Sequence, residues 1–334
     1  MSAAIRRFER SLKRVFKRSP TLMSAYFRLA GLYHQGRLKG VGLGGSLERD
    51  GRTDRVNPEN VIWIFCAARS GSTWLRSMIE DLVACKVWEE PKVGQLFGEF
   101  YESNRSRESR LASTNFVMSD PTRKVWTRSI RNFVLDTAQA AHPTITPEHY
   151  LIVKEPDGAI GAPLLMEAFP ESRMVLLVRD PRDVAASALD ATRKGNWMYE
   201  WQNRGATGRR ATADEKPDVF VKKRASKYLR HMGNAKKAYD AHEGRKALIR
   251  YEDLKANSLD TMRYLCSALG IPADEEQLAQ IVEKYAWENV PEEEKGPGKF
   301  YRKATPGGWR KDLTQDQVKV IEGITAPLLK EFYP

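Results

Sequence analysis

Arg69, Ser70, Gly71, Ser72 and Thr73 form one polar run between the apolar stretch Val61 to Cys66 and a segment with Leu75, Met78, Ile79, Leu82 and Val83 at helical spacing. The order reads as a buried strand, a tight turn and a helix. Such a turn points several backbone N–H groups at one spot, and the positive end of the helix dipole adds to them, so the turn is an anion site. Arg69 contributes a planar fork of donors, the three hydroxyls contribute more, and Gly71 lets an anion approach the backbone closely. The turn is not the common nucleotide-triphosphate loop. That pattern needs Gly, four residues, then Gly-Lys-Ser/Thr, but Phe65 stands four before Arg69 and no Lys follows Gly71.

Two more cationic groups follow. Arg179 leaves the continuous apolar run Met174 to Val178, and Ser187 lies two turns into the next helical segment, on the side facing back toward Arg179. Ligands of open parallel sheets collect at the carboxyl ends of strands, so an Arg and a Ser converging there can grip a second phosphate. Near the end, Arg302 and Lys303 lie in a cationic loop that continues through Gly307 and Gly308 to the aromatic Trp309. Carboxylates flank strand ends as well, at Glu89-Glu90-Pro91 after the first helix and at Lys154-Glu155-Pro156 after Leu151-Ile152-Val153.

The elements that must hold these groups alternate. Val61 to Cys66, Leu151 to Val153, Met174 to Val178 and Ala247 to Tyr251 read as strands, and the continuous apolar run at Met174 is that of a strand covered on both faces. Helices are punctuated by Asp180-Pro181, by Ser258 with Gly270 and Pro272 at the far end, and by a Thr314/Gln317 capping box. A helix is expected from Asp120-Pro121 to about Ala141, and another with Val221, Ala225, Tyr228, Met232, Ala235 and Tyr239 on one face. The alternation predicts an α/β fold: a three-layer, P-loop-like domain with a central parallel sheet flanked by helices. Residues 92–146 and 193–245 lie outside that plan and are placed to shape a pocket.

The net charge of +12 on 334 residues is unevenly spread. Residues 1–40 hold ten basic residues and one acid, so the rest of the chain is near neutral and nucleic-acid binding by the body is not expected. Ile5, Phe8, Leu12, Val15 and Phe16 share one face of a basic amphipathic pattern, a segment suited to docking or to an anionic membrane surface. With the Gly-rich stretch that follows, residues 1–50 read as an arm and residues 51–334 as the main domain. Three scattered cysteines suggest no disulfide framework, five dispersed histidines suggest no metal site, and neither a signal peptide nor a membrane span is expected. A reduced, cytoplasmic setting, with peripheral membrane contact through the arm, fits these features.

Taken in order, the motifs resemble the sulfotransferases that use 3′-phosphoadenosine 5′-phosphosulfate, over about residues 61–312. Arg69-Ser70-Gly71-Ser72-Thr73-Trp74 resembles the family's 5′-phosphosulfate loop, which implies that Trp74 stacks on adenine. Arg in place of Lys resembles the carbohydrate and tyrosylprotein branches more than the cytosolic small-molecule branch. Arg179 and Ser187 keep the spacing of the 3′-phosphate motif, and the Arg250-Tyr251-Glu252-Asp253-Leu254 segment resembles the strand end before the C-terminal helices, with Tyr251 a cofactor contact. Arg302 and Lys303 resemble the late loop that closes over the 3′-phosphate, with Ala304 replacing a Gly and Gly308 an Asp. The resemblance implies sulfuryl transfer to a hydroxyl acceptor on a carbohydrate, glycolipid or other alcohol, without a metal. It implies Arg69 as stabiliser of the leaving phosphate and Lys154 as a holder of the sulfonyl group. Glu90 is the first candidate base, then Glu155, then Glu89.

Two other readings stand beside this one. A kinase-like phosphotransferase would need the missing loop Lys and a carboxylate for Mg²⁺. A non-enzymatic binding module would depend on residues 1–40 rather than on Arg69 and Ser187. Acceptor identity and oligomeric state are not legible.

Overall fold

The computed structural model describes residues 56–333 except 107, 197, 200–215, 297, 298, 300, 302 and 303. The first strand, β1 (Val61–Cys66), is buried along its whole length and leads through the turn into α1 (Ser72–Leu82). The chain continues through β2 (Cys85–Glu89), α2 (Val93–Arg105) and α3 (Arg123–Ala141) to β3 (Tyr150–Glu155) and the short α4 (Ala162–Ala168). Then come β4 (Arg173–Val178), α5 (Pro181–Ala191), α6 (Pro217–Ala241) and β5 (Lys246–Arg250). Four helices complete the order: α7 (Tyr251–Ala256), α8 (Ser258–Leu269), α9 (Glu275–Lys284) and α10 (Gln315–Phe332).

The five strands form one parallel sheet in the order β2-β3-β1-β4-β5. Successive residues of a strand point to opposite faces, and both faces here are apolar. Trp63 and Phe65 pack on one side with Val153, Leu176 and residues of α3, α4 and α6. Ile62 and Ile64 pack on the other with Ile152, Val175 and residues of α1, α8 and α9. The expected three-layer α/β domain is what the chain forms. β1 lies between β3 and β4, where the connections diverge, and in such sheets the crevice beyond the carboxyl ends of the strands is the place for a ligand.

Punctuation read from sequence operates in place. Asp180 caps α5 by accepting the Arg182 N–H, Thr314 and Gln317 form both bonds of a capping box at α10, and Gly270 ends α8 at φ +60°. Tyr251 opens α7 instead of ending the preceding strand. The arm at residues 1–50, and with it the proposed domain boundary, lies outside the described residues.

Candidate active site

The turn after β1 is built around two left-handed residues, Arg69 at φ +77° and Gly71 at φ +84°. Gly71 occupies the cap position of α1, so the helix begins at Ser72 with its free N–H groups facing the crevice. A side chain at 71 has no room: a Cβ there would lie 2.6 Å from the ring of Tyr251. Tyr251 thus forms the floor under the turn. Its opposite relation is with Arg179, whose guanidinium carbon sits 4.2 Å from the ring centroid.

Arg179 also donates to the Arg69 carbonyl at 2.8 Å, and Arg69 Nε donates to Ser187 Oγ at 3.2 Å. Residues 118 positions apart in sequence are thereby joined, and the turn after β1 meets α5 two turns from its start. Ser70 Oγ and Arg179 Nε are buried and make no hydrogen bond among the described residues. Buried donors of this kind are costly without a partner, and an anion with several oxygens fits them. Trp74 is fixed by its indole N–H, which donates to the Tyr285 carbonyl at 2.9 Å, and its ring meets Tyr251 edge-on. Ser72 is buried, and Thr73 lies half-buried toward β3.

Lys154, at the end of β3, is buried, with Nζ 2.6 Å from Glu89, 2.9 Å from Glu90 and 3.4 Å from Thr73 Oγ1. Burial opposes its charge, but the hydrogen bonds to Glu89 and Glu90 outweigh it and hold the ammonium above its ordinary range. Lys154 therefore links the carboxylates after β2 to the turn after β1. Glu90 is exposed, at φ +50°, with its N–H bonded to the Lys154 carbonyl. Glu155 sits differently. It is 1% exposed, Oε1 accepts the Val93 N–H at 2.9 Å, and Oε2 lies against Gly158. Burial pushes its carboxyl up to about 7, against the pull of the Val93 and Lys92 N–H groups.

The late loop is anchored by a residue that none of the sequence motifs marks. Asp183 is 1% exposed and accepts the backbone N–H of Gly307 at 2.7 Å and of Trp309 at 3.0 Å. Burial raises its carboxyl above the ordinary range, although Arg179 and the two N–H groups oppose the shift. The Trp309 ring stacks under Arg182 at 4.3 Å, and Arg182 is clamped by Asp180 and Glu322. Ala304, in the place of a family Gly, takes φ +47°. Arg302 and Lys303 lie outside the described residues.

A cavity of about 890 Å³ involves none of these groups. It opens between α2, α3, α4 and α6, beside Pro170 and His242 to Gly244, which precede β4 and β5 at the amino ends of the sheet. Among the described residues, no group of three or more His, Cys, Asp or Glu could hold a metal ion, and no helix is long and apolar enough to cross a membrane.

Comparison with known proteins places this geometry in context. The pattern of the Sulfotransferase family matches residues 61–275. Cytosolic sulfotransferase 16 of Arabidopsis thaliana is 25% identical over 180 residues, which are 48% of this chain and about half, 51%, of that protein. Among solved structures, mouse sulfotransferase SULT7A1 complexed with PAP superposes with a TM-score of 0.51 at 14% identity, over 83% of this chain and 87% of that one. At that identity the likeness concerns the fold.

Proposed function

The chain belongs to the sulfotransferase family, and from that membership and the crevice at the strand ends we propose that it transfers a sulfuryl group from 3′-phosphoadenosine 5′-phosphosulfate to an acceptor hydroxyl. The acceptor is an alcohol on a carbohydrate, a glycolipid or a smaller molecule. The bound donor supplies the SO₃ unit and departs as 3′-phosphoadenosine 5′-phosphate (PAP), with one S–O bond formed to the acceptor oxygen and one broken to the phosphate.

The residues divide the work. Arg69, the Ser70 to Thr73 donors and the start of α1 hold the 5′ side and stabilise charge growing on the departing phosphate. Arg179 and Ser187, with Arg302 and Lys303 from the late loop, hold the 3′-phosphate. Trp74 and Tyr251 flank the adenine side. Lys154 steadies the sulfonyl oxygens, and Glu90 takes the acceptor proton. Glu155 positions the pair by fixing the backbone that follows Glu90, and Glu89 shares Lys154. The observation that carries the reading is the bond from Arg69 to Ser187, which brings the two phosphate motifs to one crevice.

The arm at residues 1–50 is a separate unit in this reading, and the domain spans 51–334. Cys66, Cys85 and Cys266 are unpaired thiols, which suits a reducing cytoplasm. Thermal-shift measurement tests the donor: PAP should raise Tm, and ATP with or without Mg²⁺ should not. Glu90→Gln should retain the PAP shift and lose turnover by about 10²-fold or more, the range for removing a general base. Near-normal turnover in that variant sinks the assignment.

A further inference from the structure

Asp183 and Ser187 stand four residues apart in α5, so they share one face of the helix with their β-carbons about 6 Å apart. Through Ser187, whose Oγ accepts the Arg69 Nε–H, this face meets the turn after β1. Through Asp183 the same face holds a second, distant segment. Oδ2 accepts the Gly307 N–H at 2.7 Å and Oδ1 accepts the Trp309 N–H at 3.0 Å. Both oxygens of a buried carboxyl are thus engaged by the backbone of one short stretch of the late loop. The end of that stretch is pinned again, because the Trp309 ring lies 4.3 Å from the Arg182 guanidinium in the first turn of α5, and Arg182 is clamped by Asp180 and Glu322.

The attachment leaves Arg179 available. Its guanidinium bonds to the Arg69 carbonyl and stacks on Tyr251, and its Nε–H is buried without a hydrogen-bond partner. Asp183 therefore gathers three parts around one helix face: a free donor of Arg179, the Ser187 hydroxyl, and the backbone from Gly307 to Trp309. A loop held in place before a ligand arrives loses little freedom on binding. Once released, it must be ordered by the ligand, and the lost entropy weakens whichever ligand group the loop meets.

We infer that Asp183 is a positioning residue for the donor: by tying Gly307 and Trp309 to the Ser187 face of α5, it sets the late loop for the 3′-phosphate and so fixes the preference for a 3′,5′-bisphosphate over a 5′-phosphate. The inference rests on the donor reading above and deepens it. Asp183 touches no ligand in this scheme and takes no part in the bond changes. A 5′-phosphate at Arg69 to Thr73 is held by other elements and is indifferent to Asp183.

Titration calorimetry on the full chain, comparing PAP with adenosine 5′-phosphate (AMP), which lacks only the 3′-phosphate, tests this. Wild type should prefer PAP. Asp183→Ala should cut the preference by about tenfold or more, the scale for losing hydrogen bonds to a carboxylate, while AMP affinity stays within about twofold. Asp183→Asn should fall between, since its amide oxygen accepts one N–H and its amide nitrogen cannot accept the other. Coupling is reciprocal, so PAP should slow hydrogen exchange over residues 304–312 of the wild type, and AMP should not. The proposal is overturned if both variants keep the wild-type preference, or if they weaken AMP as much as PAP. Should neither variant fold, equal protection of residues 304–312 by PAP and AMP overturns it. A wild-type chain that binds PAP no better than AMP brings down the donor reading, and this inference with it.

Discussion

At Arg69 the backbone holds φ +77°, in the left-handed region that costs a residue with a β-carbon on the order of 1–2 kcal/mol. Glu90, Lys92 and Ala304 share that condition, and they complete the set of non-glycine residues with positive φ among the described residues. All four lie in loops around the crevice. Such strain persists where the surroundings impose it, here through the Arg179 bond to the Arg69 carbonyl and the Glu90 N–H bond to Lys154. Arg69 therefore trades stability for the placement of its guanidinium. Arg69→Ala and Arg69→Gly should both lower kcat by about 10²–10³, the scale for one lost oxyanion donor. The Gly variant should nevertheless be the more stable of the two, by about 1 kcal/mol in denaturant unfolding. Equal stability would mean that the turn is relaxed. Gly71→Ala should do more harm than its size suggests, because its Cβ would meet Tyr251 and displace the ring under Arg179. PAP affinity should fall at least tenfold, measured by calorimetry. The turn was legible in sequence because the motif itself, Arg69 to Trp74, is contiguous. Asp183 was not, because its partners Gly307 and Trp309 stand 124 and 126 positions away.

At the scale of elements, α2 shows why some of the site escaped pattern reading. Lys92 at its start is left-handed and supplies no side-chain cap. The cap comes from Glu155, 62 residues on, and the helix carries Gly94 and Gly98, which ordinarily weaken a helix. Both are required by contact: a Cβ on Gly94 would lie 2.3 Å from the Gly158 carbonyl oxygen, and one on Gly98 would lie 2.5 Å from the Gly161 N. β2 was missed for a related reason, since it is a half-exposed edge strand of mixed composition. The fully buried strands and the capped helices, whose signals are local, were read correctly. Glu155 gives this element a pH signature. Its carboxyl titrates near 7 in the fold, against 4.5 for the free group. Between those values the folded chain holds a proton that the unfolded chain has released, so the group's contribution is full below 4.5 and disappears as pH rises through 7. The shift corresponds to a difference on the order of 3 kcal/mol. Urea unfolding of wild type should lose stability between pH 5 and pH 8 relative to Glu155→Gln, which has no proton to release. Parallel curves for the two proteins would contradict this account.

Across the whole molecule, Arg69, Lys154 and Arg179 stand at the ends of β1, β3 and β4, so these cations arrive from distant sequence and meet through the sheet. The remaining positive charge is arranged differently, with nine of the twelve net charges falling in residues 1–40. A basic patch near an anionic bilayer gains about 1 kcal/mol per Lys or Arg, and the gain decays within a Debye length, about 10 Å at 0.1 M salt. The apolar positions Ile5, Phe8, Leu12, Val15 and Phe16 add a contribution that salt does not screen. The proposed membrane contact through the arm therefore predicts a specific result. The full chain should co-sediment with vesicles containing about one-third phosphatidylserine at low salt, and much less with pure phosphatidylcholine. Raising salt toward 0.5 M should release most of it. Replacing Arg6, Arg7, Arg10, Lys13, Arg14, Lys17 and Arg18 by Gln should abolish sedimentation while leaving the PAP thermal shift intact, because the proposed phosphate sites begin at Arg69. If the Gln variant sediments like wild type, the binding surface lies in the domain itself; if it loses the PAP shift, the arm is part of the donor site, and the division at residue 50 fails.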